Sequence, residues 1–298
     1  MSTELIQEQL DLDQIITEKQ TIGLKRYITQ ITDTINFEFK RTWKTFLIML
    51  IVYLSIFLLN LLIYELEVAA GVELPEEPID YIEGYFGFFG ILIIISTATF
   101  GGGIIAEDFQ KQTGNLLFPK ISKSRLLIGR IISRYSLNSI LIVFYYIIIG
   151  IITNYKYGEI PDTYINSMSW ALLYTFMVFT FVIFMSSINK SKSAAIIISI
   201  LLFLIAFNII ESILMVTKTG IEPLFIPTYY ENIIEASLDM PDPRFEEVSF
   251  GSPREDNPAF KRWLTPSISG ALSGMLLFSA VQLTIAYLFY KRRQSKNE

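Results

Sequence analysis

Residues 193–216 read SAAIIISILLFLIAFNIIESILMV, an apolar stretch in which Glu211 is the only charged residue. A helix needs roughly 20 mostly apolar residues to cross about 30 Å of hydrocarbon. This stretch is long enough, whereas the buried core helix of a soluble domain usually has a shorter apolar run. It therefore predicts a membrane-spanning helix.

Five further stretches follow the same pattern. Of the 298 residues, 52% are hydrophobic and 18% charged, and the mean hydropathy is +0.45, which is too apolar for an ordinary soluble domain. We predict an all-α, polytopic membrane bundle with six transmembrane helices. The predicted spans, within a transmembrane domain at 45–290, are 45–64, 85–106, 137–153, 165–187, 193–216 and 267–290. The third span is expected to begin earlier, near Ile131, with Arg134 reaching back to the headgroups.

Several chemistries are excluded by composition. Residues 1–20 form a polar, acidic tail, unlike a cleavable signal sequence, so the first span is expected to remain in the mature protein. The chain contains no cysteine and no histidine. These absences exclude a cysteine nucleophile, a histidine base and the usual zinc ligand sets, so no catalytic or metal site is predicted.

Basic residues are concentrated in alternate connections. They precede the first span, fill the second-to-third and fourth-to-fifth connections, and recur in the tail at 291–298; residues 65–84 have seven acidic residues and no basic one. Because lysine and arginine are retained on the cytoplasmic side, both termini are predicted to be cytoplasmic. The connection 217–265, with nine acidic and five basic residues, is predicted to form an external cap of this multi-pass cell-membrane protein.

The segment before the first span has helical periodicity. Apolar residues recur at spacings of three and four, at Leu24, Ile28, Ile31, Ile35 and Phe39. We predict that residues 21–44 form an amphipathic interfacial helix along the inner membrane surface. The alternative is a cytosolic helix that packs against the protein's own loops.

Two groups of glycines are candidates for helix packing. Gly101, Gly102 and Gly103 lie at the inner end of the second span, where they permit either close helix approach or a bend. Gly270 and Gly274 have a Gly-x-x-x-Gly spacing in the last span. That spacing is compatible with packing inside one protomer or across a dimer.

The connection before the last span has three predicted parts. Residues 227–238 are expected to form a short helix on the outer surface. Residues 239–258 are acidic and proline-rich, which indicates a solvated loop. The last helix is then expected to begin after a cap at Thr265, with Pro266 in its first position.

Glu211 is a possible pathway residue. An ionised carboxylate at mid-bilayer costs roughly 2.5–3.5 kcal/mol, so a charge there usually has a function. A rise of 1.5 Å per residue, however, puts Glu211 about 27 Å from the inner end of its span. We therefore expect solvation at the outer interface, and the pathway role remains the alternative.

The second-to-third connection carries the most informative motif. Residues 105–125 read IAEDFQKQTGNLLFPKISKSR and are soon followed by Gly129 and Arg130. Together with six spans and the N-terminal helix, this motif resembles the permease subunits of the type-2 family of ABC transporters. The resemblance covers about residues 24–292 in organisation and includes the segment 226–230. The loop 239–258 departs from it, because it is longer than the family usually carries.

The resemblance implies a coupling helix, within the inner loop 107–130, that docks on a cytosolic ATPase. The implied contact residues are Glu107, Phe109, Gln110, Gly114, Leu116 and Leu117. The alternative is a basic loop that only anchors the topology. The loop contains more apolar side chains than exposure to water alone requires, which favours the coupling interpretation.

ATP binding is not expected on this chain, because no Gly-x-x-x-x-Gly-Lys-[Ser/Thr] loop occurs in it. The resemblance implies separate ATPase subunits that hold ATP and Mg, a second permease protomer in a homo- or heterodimer, and a function in export. No nucleic-acid partner and no cofactor on this chain are expected. A channel or membrane scaffold is the alternative function. An intramembrane hydrolase is disfavoured, because no aspartate lies inside the predicted spans.

Overall fold

A computed structural model describes the backbone of residues 3–73, 75–110, 123–216, 220–248 and 260–295, and the side chains of 27–73, 75–109, 124–214, 220–248 and 261–292. Within these ranges, six helices are long and apolar enough to cross a membrane, which confirms the all-α polytopic bundle. We refer to them in chain order as the first to sixth spanning helices. They are Thr3–Ala69; Phe89–Gly101 with its continuation Ala106–Gln110; Lys123–Tyr157; Tyr164–Ile188; Lys192–Leu201 continued by Leu202–Phe207 and Asn208–Val216; and Ile268–Ser295.

The second and fourth spanning helices form the centre of the bundle. Their most apolar windows are 83% and 67% buried, against 22%, 17% and 22% for the first, fifth and sixth. These three peripheral helices expose large apolar side chains such as Ile51, Ile209 and Leu277. Such an outer surface suits contact with lipid, where apolar side chains need no protein partner.

The third spanning helix is longer than predicted. It begins at Lys123, and its 35 residues extend for about 50 Å at 1.5 Å per residue. The predicted orientation of Arg134 toward the headgroups is wrong, because its side chain is only 1% exposed and is ion-paired inside the bundle. Hydropathy alone does not detect such pairing.

The first helix runs without a break from the predicted interfacial segment into the first span. Between residues 27 and 44, the two most buried side chains are Thr34 and Glu38, which both contact the third spanning helix. Ser133 Oγ donates across this contact to the Ile35 carbonyl at 3.4 Å. The segment therefore packs against the protein itself, and its position relative to the membrane surface stays a prediction.

The second spanning helix is interrupted at its glycines. It ends at Gly101 and resumes after a turn as Ala106–Gln110. A Cβ atom on Gly101 would lie 2.8 Å from Val182 Cγ1, and one on Gly102 would overlap Ile196. The glycines thus combine a bend with close approach to the fourth and fifth spanning helices.

The fifth spanning helix changes its winding in the middle. Residues Leu202–Phe207 form a π-helix between two α-helical parts. Asn208 Nδ2 donates to the carbonyls of Phe203 and Leu204 at 3.3 and 3.0 Å. Because these bonds satisfy carbonyl groups near the wider turn, they stabilise a conformation that is otherwise rare.

The connection after the fifth spanning helix forms short helices within the predicted range 227–238, and one face of them packs into the bundle. That this end lies outside the membrane stays a prediction. The two helices are a 3₁₀-helix at Pro227–Glu231 and an α-helix at Asn232–Ala236. The Ser167 hydroxyl of the fourth spanning helix donates to the Ile234 carbonyl at 2.7 Å. The apolar side chains at 229, 230, 233 and 234 are buried, which explains why this segment enters the bundle.

A two-stranded hairpin follows, where a solvated loop was predicted. Strand β1 (Phe245–Val248) pairs antiparallel with strand β2 (Phe260–Trp263). The Trp263 indole N–H donates to the Gly220 carbonyl at 2.9 Å, which ties the hairpin to the start of the connection. Residues 249–259 lie outside the described residues, so the prediction for most of that loop stays open.

The sixth spanning helix begins at Ile268. The helix is capped by Ser267, whose Oγ accepts a hydrogen bond from the Gly270 N–H at 3.1 Å. The predicted cap at Thr265 is therefore wrong. Gly274 lies against Tyr230, where a Cβ would overlap the phenol ring. This glycine therefore packs against the protomer's own 3₁₀-helix.

Candidate functional site

The two ends of the bundle differ in charge. Among the described residues, the basic end holds the last residues of the second spanning helix, the first residues of the third, the connection 188–192 and the C-terminal end of the sixth. The acidic end holds the described parts of the connections between the other helix ends, at 70–73, 75–88, 157–164, 220–248 and 260–267. Each end has a candidate site.

At the basic end, Glu38 is the centre of a network of buried ions that we call the charge cluster. Its side chain is 1% exposed and accepts hydrogen bonds from Arg134 Nη2 at 2.9 Å and Arg134 Nε at 3.0 Å. Arg130 Nε donates to its other oxygen at 3.2 Å. The members of the cluster are Glu38, Arg41, Glu107, Asp108, Arg130, Arg134 and Lys192.

Glu107 brings the predicted coupling loop into this cluster. Its carboxylate lies 3.1 Å from Lys192 Nζ and 3.4 Å from Arg134 Nη2, and it also pairs with Arg41. Gly103 makes room for this carboxylate, since a Cβ there would lie 2.5 Å from Glu107 Oε1. Glu107 is thereby bound to the first, third and fifth spanning helices.

Asp108 adds a fourth attachment. Its Oδ2 lies 2.7 Å from Arg130 Nη1 and accepts the Tyr290 hydroxyl at 3.1 Å. Tyr290 belongs to the sixth spanning helix. Glu107 and Asp108, at the start of the predicted coupling loop, are therefore bound to the first, third, fifth and sixth spanning helices.

The cluster also satisfies the interrupted backbone of the second spanning helix. Arg130 Nη1 donates to the Ile104 carbonyl at 2.9 Å, and Arg134 Nη1 donates to the Phe100 carbonyl at 3.1 Å. The Ser186 hydroxyl of the fourth spanning helix bonds three more backbone groups of the turn. Since buried backbone groups without partners are costly, these side chains make the break tolerable inside the bundle.

The sequence-predicted coupling residues fall into two groups. Glu107 is buried, whereas Phe109 is partly buried, and its ring packs edge-on against the Tyr290 ring with centroids 6.2 Å apart. This contact occupies part of the Phe109 ring, and its predicted contact with an ATPase stays a prediction. The remaining positions lie outside the residues whose side chains are described, namely Gln110, Gly114, Leu116 and Leu117.

At the acidic end, the 3₁₀-helix, the hairpin and the fifth spanning helix border a half-open cavity of about 800 Å³. Glu211 lines this half-open space near the acidic end of the bundle. Its location at the outer membrane interface stays a prediction. We call the half-open space the acidic cavity. Five carboxylates line it, from Glu83, Glu211, Glu231, Glu235 and Asp239, with two basic residues, Lys261 and Arg262.

Glu231 is hydrogen-bonded within the wall of the cavity. The Tyr174 hydroxyl donates to its Oε2 at 3.1 Å. Gly90 of the second spanning helix makes room for the carboxylate, because a Cβ at this position would overlap it. Burial raises the pKa of Glu231 to about 7, and the nearby carboxylates of Glu211 and Glu235 act in the same direction.

Glu83 is a second carboxyl group in the cavity with a raised pKa. Burial raises its pKa to about 7, and the neighbouring carboxylates of Glu235, Asp80 and Asp239 add to the effect. Neither Glu83 nor Glu231 was singled out from the sequence. In the sequence, both residues stand beside aromatic and glycine residues, which is the one feature that could have drawn attention to them. This feature does not identify the distant segment on which each residue packs.

No protein-family model matches the chain, and no curated protein matches it significantly. The geometry of the two ends is therefore the basis for assigning a function.

Proposed function

We propose that this chain is the permease subunit of an ATP-driven exporter of the type-2 ABC class, working with separate cytosolic ATPase subunits and a second permease protomer. The observation that carries the proposal is the attachment of Glu107 and Asp108 to four spanning helices. The resemblance of residues 105–125 to the coupling loops of that class motivates it. A channel would not need this attachment, because it responds to no motor.

The charge cluster suits the transmission of force. Ion pairs in a poorly hydrated interior are stronger than pairs in water, and their geometry is fixed by several hydrogen bonds at once. A displacement of the loop by a docked ATPase would therefore move Glu107 and Asp108 together with their arginine partners. In this proposal, Glu107, Asp108 and Phe109 transmit the motion, whereas Leu116 and Leu117 dock.

The docking step can be tested with the tagged protein purified from its native membrane. We expect a P-loop ATPase in stoichiometric amount. Leu117→Ala is expected to weaken its binding about thirtyfold, the loss of roughly 2 kcal/mol from one buried anchor. Glu107→Gln is expected to retain the ATPase but to reduce the dependence of its hydrolysis rate on the permease.

Lys156→Ala is the matched control for this experiment, because Lys156 pairs with Glu65 at the opposite end of the bundle. Its complex should be recovered like that of the wild type. If no P-loop ATPase accompanied the wild-type protein, or if Leu117→Ala left assembly and transport unchanged, the channel or scaffold function would be the better account.

We also propose that the basic end is cytoplasmic, on the distribution of lysine and arginine. Because the chain has no cysteine, single cysteines give a clean test. We expect Glu77→Cys, an exposed site at the acidic end, to react with an impermeant maleimide in intact cells. Ser193→Cys, exposed at the basic end, should react only after permeabilisation. The reverse pattern would invert the topology.

Ser193 is a better probe than its neighbour Ser191. The Ser191 hydroxyl accepts the Ala194 N–H at 3.2 Å and caps the fifth spanning helix. A cysteine at 191 would remove that cap, whose loss typically costs about 1 kcal/mol. Substitution of Ser193 leaves the cap intact.

A further inference from the structure

The connection between the fifth and sixth spanning helices packs on the bundle through residues 227–238, which we call the docked segment. The Ser167 hydroxyl of the fourth spanning helix donates to the Ile234 carbonyl of this segment at 2.7 Å. Tyr230 lies against Gly274 of the sixth spanning helix, where a Cβ atom would overlap its phenol ring. These contacts are made by uncharged groups, so they do not change with pH in the neutral range.

Glu231 adds an ionisable contact to the docked segment. Its carboxyl group lies against Gly90 of the second spanning helix, and a Cβ atom at Gly90 would overlap it. The Tyr174 hydroxyl of the fourth spanning helix donates to Glu231 Oε2 at 3.1 Å. The carboxyl group is therefore placed between two spanning helices, where its charge affects how well the segment packs.

The surroundings of Glu231 favour its neutral form. A carboxylate that is partly removed from water needs a cation or several hydrogen-bond donors. Among the described residues, Tyr174 donates to Glu231 and no cation forms an ion pair with it. The charged groups that face it are the carboxylates of Glu211, from the fifth spanning helix, and Glu235, from its own segment. Arg262 of the hairpin acts on Glu211.

We propose that Glu231 binds a proton, and that this proton holds the docked segment against the second and fourth spanning helices. When the carboxyl O–H bond breaks, the proton passes to water in the half-open cavity, and the remaining carboxylate is better solvated away from the bundle. The docked segment forms one wall of the acidic cavity, so its separation from the bundle would widen that cavity. The site belongs to this chain alone and does not rest on the proposed ATPase partner.

The direction of the pH dependence follows from proton linkage. Burial raises the pKa of Glu231 from its ordinary 4.5 to about 7, and the ordinary value is expected once the segment separates and the carboxyl is solvated. A carboxyl whose pKa is raised in the docked state favours docking at low pH, and this contribution is lost as the pH rises through 7. The equilibrium constant for docking should therefore fall about tenfold between pH 6 and pH 8.

The test is amide hydrogen exchange of the protein in nanodiscs at pH 6, 7 and 8, corrected for the intrinsic exchange rate at each pH. In the wild type, we expect the protection of amides in 229–238 to fall about tenfold from pH 6 to pH 8. In Glu231→Gln, protection should stay high at every pH, because glutamine resembles the protonated acid and cannot ionise. This variant should also fold normally for the same reason.

Two control variants separate Glu231 from the other acidic residues of the cavity. Glu235→Gln removes one negative charge from the same segment at an exposed position, so most of the pH dependence should remain. Glu83→Gln removes the other carboxyl whose pKa is raised to about 7. Its pH dependence should also remain, because Glu83 lies on the short helix Pro78–Glu83 and not on the docked segment.

A second measurement reports the proton directly. Infrared spectroscopy of the protein during a pH titration should show a carboxylic C=O stretch that disappears near pH 7 in the wild type and is absent from Glu231→Gln. Tyr174→Phe removes the donor that stabilises the ionised form, so the midpoint of this titration should move up by about one pH unit. A purely structural role of Tyr174 would leave the midpoint unchanged.

Three results would overturn the proposal. One is equal protection of the docked segment in the wild type at pH 6 and pH 8. Another is a pH dependence in Glu231→Gln as large as that of the wild type. The third is its loss in Glu83→Gln or Glu235→Gln but not in Glu231→Gln, which would assign the effect to the charge of the cavity surface.

Discussion

Glu38→Gln is expected to destabilise the folded protein by about 3–5 kcal/mol. The substitution keeps the size of the side chain but removes the negative charge that faces Arg130 and Arg134. Both arginine side chains are almost fully buried, so water cannot compensate for the missing partner. The measurement is thermal unfolding of the purified protein in detergent micelles, where the variant should unfold at a clearly lower temperature.

Glu65→Gln is the matched control for Glu38→Gln. Glu65 pairs with Lys156 at 2.7 Å, but its side chain is 55% exposed. An exposed pair contributes at most about 1 kcal/mol, so this variant should unfold almost like the wild type. Equal stability of the two variants would show that the charge cluster does not hold the first and third spanning helices together.

Gly129→Ala is expected to have the second large effect, a destabilisation of about 1–3 kcal/mol. Alanine normally stabilises a helix relative to glycine by roughly 1 kcal/mol. At Gly129, however, the new Cβ would lie 2.7 Å from Thr34 Cβ and 3.2 Å from the Ile31 carbonyl oxygen. These atoms cannot rotate away, so the first helix must shift beside the charge cluster. The same unfolding measurement detects the change.

Gly150→Ala, in the same helix, tests the cause of this effect. Its nearest neighbours would be the ring of Tyr164 at 3.3 Å and the end of the Ile160 side chain at 3.6 Å. The end of the Ile160 side chain can rotate, and the Tyr164 ring, whose hydroxyl donates to the Tyr146 carbonyl at 2.6 Å, needs to shift by only a few tenths of an ångström. This substitution should therefore cost much less than Gly129→Ala. A loss of stability equal to that of Gly129→Ala would mean that the contact with Thr34 is not the cause.

The spanning helices were predictable because apolar length is a local property. The fifth span was predicted at 193–216, and the structure begins it one residue earlier, at Lys192. The start of the third span was not predictable in this way, because its first turns contain Arg130 and Arg134. Their burial depends on Glu38, which lies more than 90 positions away in the sequence.

The candidate sites were predictable only where one segment contains the signal. The motif at 105–125 directed attention to Glu107 and Phe109, but their contacts depend on Lys192 and Tyr290 from later helices. Glu211 was noticed because it interrupts an apolar run. The cavity that it lines is assembled from segments spread over more than half the chain, and no local pattern encodes that assembly.

The π-helix at Leu202–Phe207 sets the rotational phase between the two ends of the fifth spanning helix. At one end Lys192 pairs with Glu107, and at the other Glu211 faces the acidic cavity. Each residue of an α-helix turns the chain by about 100°, so a uniformly α-helical segment of the same length would arrive at Glu211 with a different angle. The wider turn therefore rotates the second half of the helix by a fixed angle relative to the first half. With this rotation, Lys192 faces the charge cluster and Glu211 faces the acidic cavity.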